Sequence, residues 1–270
     1  MLITAFGRTD VGRKRPDNED AFAIDAVLGL VVVADGMGGH ARGEVAAALT
    51  VETICEFTAL AARDPGLAWP VEVDRHQSPA ANCLRAAIHL ANARVRQTAA
   101  DRDDLAGMGT TVVAGLVRDG RLTYAGVGDS RIYLARAGEV RQLTRDDSWI
   151  ETAVSAGLVA AADRLTHPLA HVLVQAIGLE DDVDVEVSEV VLEPDDRVLL
   201  CSDGLTAALA DDQIGGLLSA HLDGEAACRA LVDAANDAGG PDNVTVVLAR
   251  MAGVALAHAE GRRRWGLWRR

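Results

Sequence analysis

The chain has 270 residues, 49% of them hydrophobic and only 3% aromatic, so its core must consist mainly of Ala, Val and Leu. Its formal net charge of −14 argues against a general nucleic-acid-binding or membrane-surface protein.

The four cysteines and the N-terminus bear on the compartment. Cys55, Cys83, Cys201 and Cys228 have neither C-x-x-C nor zinc-finger spacing, which favours buried thiols in a reducing cytosol over a structural zinc site. No apolar run approaches the roughly 20 residues of a membrane span. The first residues lack the pattern of a signal peptide. We therefore expect a cytoplasmic protein without a transmembrane segment.

The first half of the chain combines strand and helix patterns. Apolar and β-branched runs predict strands over residues 3–9, 21–25 and 30–34. Apolar positions at helical spacing predict helices over residues 44–62 and 80–101. Pro and Gly residues in the intervening segment 63–79 indicate a loop or insertion.

The second half is mostly β. Hairpins are predicted from residues 110–117 and 121–127 around Asp119-Gly120, and from residues 131–136 and 140–143. Residues 146–168 break this pattern and are expected to form an irregular or partly helical flap. Further strands are predicted at 183–192, 197–201 and 244–250, with a short helix capped by Asp211 and a longer helix at 225–238.

Hairpins dominate over βαβ units in this order of elements, which favours an α+β fold of antiparallel sheets with segregated helices. With about ten strands and four helices, a sandwich of two sheets covered by helices is the natural packing. We expect one domain over residues 1–252. Residues 253–270 form a basic, Trp-containing tail outside the core pattern, either a disordered end or a weak contact for a membrane or partner.

Asp35 ends the apolar run 31–34 and is followed by a loop with three glycines and a histidine. Gly36 has no side chain, so its carbonyl can approach whatever the carboxylate binds. The same arrangement recurs at Asp203-Gly204, after the apolar run 198–201. The chain is therefore expected to bring Asp35 and Asp203 together.

Several acidic residues share this setting, each next to Gly, Asn or Ser at a predicted strand end or turn. They are Glu19, Asp20, Asp35, Asp129, Asp203 and Asp242. Converging carboxylates repel one another unless a cation lies among them. All-oxygen ligation selects Mg²⁺ or Mn²⁺ over zinc. A single Asp-Gly is more often a simple turn, so the prediction depends on the whole set.

Seven motifs in a characteristic order span the chain from Phe6 to about Met251. They are Arg15-x-x-Asn18-Glu19-Asp20, Ala34-Asp35-Gly36-Met37-Gly38-Gly39-His40, Gly107-Met108-Gly109-Thr110-Thr111, Gly126-x-Gly128-Asp129-Ser130-Arg131, Leu143-Thr144-x-Asp146-x-Ser148, Ser202-Asp203-Gly204-Leu205 and Gly240-Pro241-Asp242-Asn243-Val244-Thr245. This set resembles the metal-dependent protein phosphatases, the type 2C serine/threonine phosphatase family, and its glycine-rich second motif looks like the bacterial branch.

The resemblance implies a four-layer α-β-β-α sandwich with a binuclear Mn²⁺ or Mg²⁺ centre between the sheet edges. By motif position, Asp35 should bridge the two metals and the Gly36 carbonyl should bind the first. The second metal should be bound by Asp203 and Asp242. Asp129, with Asp203, matches a weaker third-metal site, and Asp20 should act through a metal-bound water, with Glu19 less certain.

The reaction implied is hydrolysis of phosphoserine and phosphothreonine in proteins by direct attack of a metal-bridging hydroxide. Arg15 matches the arginine that binds the substrate phosphate; otherwise it is an ordinary surface charge beside Arg13. His40 is a candidate proton donor to the leaving group, and otherwise a solvated loop histidine.

Three functions stay open at this point. The leading one is a protein phosphatase that opposes serine/threonine kinases. We expect it to be a monomer that acts on phosphorylated proteins and does not bind nucleic acid. A catalytically silent binding module should have lost some of Asp35, Asp203 and Asp242, and all three are present. A small-molecule phosphatase on the same scaffold is the third.

Overall fold

The computed structural model describes residues 3–38, 42–64, 66–164, 167–170 and 172–251. His40 and the basic tail at 253–270 lie outside the described residues.

Two antiparallel sheets make up the centre of the described chain. The first sheet has the order β1-β11-β10-β7-β8, and the second has the order β2-β3-β5-β6-β9, with β4 paired to β3. The strands are β1 (Ile3–Asp10), β2 (Asp20–Asp25), β3 (Leu30–Met37), β4 (Gly109–Thr110), β5 (Val112–Arg118), β6 (Arg121–Val127), β7 (Arg131–Arg136), β8 (Glu139–Gln142), β9 (Val187–Val191), β10 (Arg197–Cys201) and β11 (Val244–Met251).

The helices are α1 (Arg42–Arg63), α2 (Pro79–Asp101), α3 (Trp149–Ser155), α4 (Asp203–Ala208), α5 (Asp211–Ala220) and α6 (Gly224–Asp237). Short 3₁₀ turns cover Asp103–Leu105 and Ala161–Asp163. The start of α2 shows how the sequence sets a boundary: the Ser78 hydroxyl accepts a hydrogen bond from the Ala81 amide, and Pro79 opens the helix.

Three apolar cores separate four layers. Ile54 and Ile88 of α1 and α2 pack with Val32 on the outer face of the second sheet. On the outer face of the first sheet, Leu231 of α6 packs with Leu199. A third core lies between the sheets. The predicted α+β four-layer sandwich is confirmed, because each sheet buries one face against its partner and the other against helices.

The hairpin predicted at Asp119-Gly120 joins β5 to β6. Both residues have positive φ, 49° and 75°, as a tight turn between twisted antiparallel strands requires.

Several element boundaries differ from the sequence prediction. β3 does not stop before Asp35 but continues to Met37, because β4 pairs with Gly36 and Met37. The helix α4 was not predicted, and it places Asp203 in its first turn. Asp211 is the first residue of α5 rather than its cap, which is Ala210.

The predicted strand at 183–192 is shorter than expected, since β9 covers only Val187–Val191. The irregular connection between β8 and β9 therefore runs well beyond residue 168. An isolated bridge from Thr110 to Ile177 ties this connection to β4, and a second one, from Ser148 to Leu173, joins two of its own parts.

Among the described residues, α1 alone is long and apolar enough to cross a membrane by length and composition. Ala46, Ala47 and Ile54 on this helix are fully buried against the second sheet. A core helix satisfies the same two criteria, so the apolar face of α1 is accounted for by packing.

Candidate metal centre

Asp20 and Asp35 lie side by side because their strands pair. The antiparallel register of β2 and β3 places Asp20 directly opposite Asp35. The main chain at Asp35 is held from the other side, since its carbonyl accepts a hydrogen bond from the Thr111 amide at 2.9 Å. Backbone pairing alone therefore places these two carboxylates on neighbouring strands.

Asp203 reaches the same place from the other sheet. It opens α4 directly after β10, and its carboxyl hydrogen-bonds that of Asp35. Ser202 links the two sheets as well, because its hydroxyl donates to Asp20 Oδ2 at 2.8 Å and accepts from the Thr245 amide at 2.9 Å. The ends of β2, β3 and β10 therefore meet at one edge of the sandwich.

Asp129 joins the group from the loop between β6 and β7. Gly128, which precedes it, has a φ of 101°, and a side chain there would run into Thr111. The neighbouring Ser130 hydroxyl lies 2.7 Å from the Thr111 hydroxyl. This tight turn sets Asp129 close enough to Asp203 and Asp35 for their charges to interact.

The pKa values of these carboxyls are raised by burial and by their mutual repulsion. Burial, and then the charges of Asp20, Asp203 and Asp129, hold the pKa of Asp35 well above its ordinary value. Burial is also the main reason that the pKa of Asp20 rises to about 6 and that of Asp129 to about 7. The protein keeps several buried carboxyls where ionisation is unfavourable without a cation.

Asp242 lies at the rim, in contact with Arg15. The Arg15 Nη2 donates to Asp242 Oδ2 at 2.7 Å, while Asp242 Oδ1 accepts from the Asn243 amide at 2.8 Å. The charges of Asp203 and Asp35 also act on Arg15, and together with the Asp242 contact they raise its pKa. Arg15 is thus close enough to the acidic cluster for its charge to interact with Asp35 and Asp203 as well as with Asp242.

Glycines let the backbone elements approach around Asp35. A Cβ at Gly36 would collide with the carbonyl of Gly43 at the start of α1, and the Gly36 amide donates to the Glu19 carbonyl at 3.2 Å. Glu19 itself accepts a hydrogen bond from the Gly43 backbone, while burial raises the pKa of its carboxyl. The close approach explains why glycine is needed at 36.

The arrangement fits hard divalent cations of the Mn²⁺ or Mg²⁺ type. The buried Asp20 Oδ1 has no hydrogen-bond partner, and an orphaned carboxylate oxygen beside other carboxylates is a ready ligand for a cation or its water. Within the described ranges, no three acidic, His or Cys side chains form a complete ligand set around one point. Ions that keep several waters need only one or two carboxylates each.

The structure brings four of the predicted ligands, Asp20, Asp35, Asp129 and Asp203, into one interacting group and sets Asp242 beside it with Arg15. Sequence reasoning assigned no role to Ser202 or Asn243. Asn243 donates to the carbonyls of Val11 and Asp17 and accepts from the Glu19 amide at 2.9 Å. Both residues are immediate neighbours of predicted ligands, and that adjacency was the available signal.

Comparisons with known proteins identify a family to which the chain is similar. A family model described as protein phosphatase 2C matches residues 9–240. The serine/threonine phosphatase stp of Listeria welshimeri is 35% identical over 248 residues, which cover 89% of this chain and 93% of that protein.

Solved structures are similar over the same extent. The Mycobacterium tuberculosis serine/threonine phosphatase PstP/Ppp has a TM-score of 0.81 at 33% identity, covering 93% of this chain and 99% of that one. The catalytic domain of the serine/threonine protein phosphatase PstP in complex with two manganese ions has a TM-score of 0.77 at 33% identity, covering 92% and 97%.

Proposed function

This chain belongs to the protein phosphatase 2C family and is a serine/threonine phosphatase, and we propose that its reaction takes place at the carboxylate cluster formed by Asp20, Asp35, Asp129 and Asp203. One observation carries the choice of site: buried carboxyls from both sheets meet at one edge of the sandwich, where burial and their mutual repulsion raise their pKa values. Such an arrangement costs stability and is retained for binding cations.

We propose that Asp35, the Gly36 carbonyl, Asp203 and Asp242 would hold two Mn²⁺ or Mg²⁺ ions here. The Gly36 carbonyl would serve one ion, Asp203 and Asp242 would serve the other, and Asp35 would serve both. Asp20, whose Oδ1 has no hydrogen-bond partner, would act through water, and Asp129 with Asp203 would offer a weaker third position. When bound, such ions supply a water of lowered pKa and neutralise charge on the phosphate oxygens.

Arg15 is placed to bind the phosphate of the substrate. Its side chain is 52% exposed, and Asp242 accepts from only one of its terminal nitrogens. The planar guanidinium has further N–H donors, which match two oxygens of a phosphate group. Arg15 thus orients the phosphate and offsets its negative charge at the edge of an acidic site.

The cysteines support attack by water rather than by a thiolate. Burial raises the pKa of Cys201 to about 12 and that of Cys228 to about 11. The pKa values of Cys55 and Cys83 are raised for the same reason. A catalytic cysteine needs the opposite, a lowered pKa and access to substrate. The proton that the leaving serine or threonine requires is assigned to His40, as predicted from the sequence.

The direct test is hydrolysis of a phosphothreonine peptide and of p-nitrophenyl phosphate by the full chain, with Mn²⁺ or with EDTA. We expect strict dependence on the metal, resistance to cysteine alkylation, and near-complete loss in Asp203→Asn. Activity in EDTA, or wild-type turnover in that variant, contradicts the site. Faster hydrolysis of free phosphometabolites than of phosphopeptides would favour a small-molecule phosphatase.

A phosphoserine or phosphothreonine substrate exists only where a kinase has made it, so we propose that this enzyme opposes a serine/threonine kinase. We also propose that it works as a monomer in the cytoplasm, on the basis of its composition. Size-exclusion chromatography with light scattering tests the monomer; a stable dimer at micromolar concentration contradicts it.

A further inference from the structure

Arg15 and Asp242 form an ion pair that joins opposite ends of the chain. The Nη2–Oδ2 distance is 2.7 Å, and the two residues are 227 positions apart in sequence. The side chains are 52% and 29% exposed. An exposed pair of this kind normally contributes little, because two flexible side chains must be ordered to form it.

In this pair, hydrogen bonds to the backbone already hold the two loops that carry the side chains. The Arg13 amide donates to the Gly240 carbonyl at 2.9 Å, two residues before each member of the pair. The Asn243 side chain donates to the Asp17 carbonyl at 2.9 Å, just after Arg15. The two loops are therefore fixed against each other on both sides of the contact, which lowers the entropy lost when the ion pair forms.

The same contact occupies the carboxylate that the proposed function gives to a cation. Asp242 Oδ1 accepts from the Asn243 amide, and Oδ2 accepts from Arg15. A divalent ion at Oδ2 would lie within a few ångströms of the guanidinium, where like charges repel. Cation and guanidinium therefore compete for one carboxylate.

We propose that Arg15 is an internal counterion, which holds Asp242 until a divalent cation displaces it and is thereby released to bind phosphate. The proposal rests on the proposed function, and it adds an order of events to that site. It also requires reciprocity: if the cation frees Arg15 for phosphate, bound phosphate must strengthen cation binding by the same factor.

The experiment is calorimetric titration of the full chain with Mn²⁺, without substrate, so that the readout does not depend on turnover. Arg15→Met keeps the length of the side chain and removes its charge. We expect the weaker of the two Mn²⁺ affinities to rise about three- to tenfold in this variant. Arg15→Lys keeps the charge and should stay within about twofold of the wild type.

Arg13→Met is the matched control. Arg13 carries the same charge two residues away, but its guanidinium faces Asp10 at 3.6 Å rather than Asp242. We expect its Mn²⁺ affinity to change by less than about twofold. An equal gain in Arg13→Met and Arg15→Met would show a general charge effect and overturn the contact as its cause.

The reciprocal measurement uses inorganic phosphate as the probe. In the wild type, phosphate should tighten Mn²⁺ binding; in Arg15→Met this coupling should be several-fold smaller, because only the direct attraction between phosphate and cation is left, with unchanged thermal unfolding. Unchanged or weaker Mn²⁺ binding in Arg15→Met overturns the inference while the proposed function stands. Failure of the wild type to bind Mn²⁺ overturns the proposed function itself.

Discussion

Two regions at the same edge of the sandwich bury carboxylates in opposite ways. In the first, Asp146 accepts three hydrogen bonds from Arg131, the shortest 2.7 Å from Nη2 to Oδ2. Arg131 also donates to the Tyr133 hydroxyl, which donates to Asp211 at 2.9 Å. Charge and hydrogen-bonding capacity are balanced within the protein.

The second region is the cluster around Asp35, where carboxyls lie beside carboxyls, the Ser202 hydroxyl donates to Asp20, and Arg15 contacts Asp242 at the rim. Burial and mutual repulsion raise the pKa values of Asp20, Asp35 and Asp129. We infer that the Arg131–Asp146 pair serves the fold and that the carboxyl cluster serves cation binding, a contrast that mutations can test.

The largest expected effect is on activity in Asp35→Asn. Removing the central carboxylate should lower turnover at least about 10³-fold, roughly 4 kcal/mol of transition-state stabilisation. The metal-free variant should nevertheless melt a few degrees above the metal-free wild type, because a buried, unbalanced charge has been removed. Phosphopeptide kinetics and calorimetry in EDTA measure both; a less stable apo variant contradicts the contrast.

Asp146→Asn should have the opposite effect on stability. Breaking a buried pair leaves the Arg131 charge without its partner, which typically costs about 3 kcal/mol and lowers the melting temperature by about 6–12 °C. Asp104→Asn is the control, since its ion pair with Arg102 is exposed and should not matter measurably. Equal melting temperatures of Asp146→Asn and wild type would refute the structural role.

Asp147 is an intermediate case, a half-buried carboxylate held by neutral donors. Its Oδ2 accepts from the Gly128 amide at 3.0 Å and from Gln175 Nε2 at 2.8 Å. Asp147→Ala should cost about 1–2 kcal/mol, seen as a lower urea midpoint with an unchanged slope. The control is Asp184→Ala, in which the urea midpoint should stay unchanged. Asp184 makes its hydrogen bonds with Gln175 through its backbone carbonyl and amide, which the substitution keeps.

The smallest expected effect is a pH dependence of the metal-free protein. With folded pKa values of about 6 for Asp20 and about 7 for Asp129, both above the ordinary value, the folded state binds more protons than the unfolded state between about pH 4 and 7. Stability therefore falls as the pH rises through this window. In EDTA we expect a melting temperature a few degrees higher at pH 6 than at pH 8.

Mn²⁺ should remove that difference, since the cation binds the ionised carboxylates and replaces the protons. Asp20→Asn in EDTA should show a weaker pH dependence than the wild type. A melting temperature that rises with pH in EDTA would mean that the cluster is already balanced by the protein.

Most of the architecture follows from local patterns. The strand β10 at Arg197–Cys201 and the Asp119-Gly120 hairpin can be predicted because a buried apolar run and a tight turn are local properties. The continuation of β3 to Met37 cannot, because it depends on β4, more than seventy residues away. The start of α4 at Asp203 was likewise hidden by the Asp-Gly turn pattern.

The candidate site likewise has features that local sequence patterns predict and features that depend on distant parts of the chain. That Asp35 and Asp203 come together could be predicted from their positions beside glycines at strand ends, and the two carboxyls do meet. The contact of Arg15 with Asp242 could not, since it joins residues from opposite ends of the chain through two loops. Long-range pairing between loops leaves no periodic trace in the sequence.

The aspartates of the proposed metal centre come from both sheets, and this has a consequence for synthesis of the protein. Asp20 and Asp35 leave the ribosome early, whereas Asp203 and Asp242 follow more than 160 residues later and complete the first sheet through β10 and β11. A nascent chain therefore carries only part of the proposed centre. If that centre is the site of the reaction, we expect activity only after β11, the last strand of the described residues, has docked between β1 and β10.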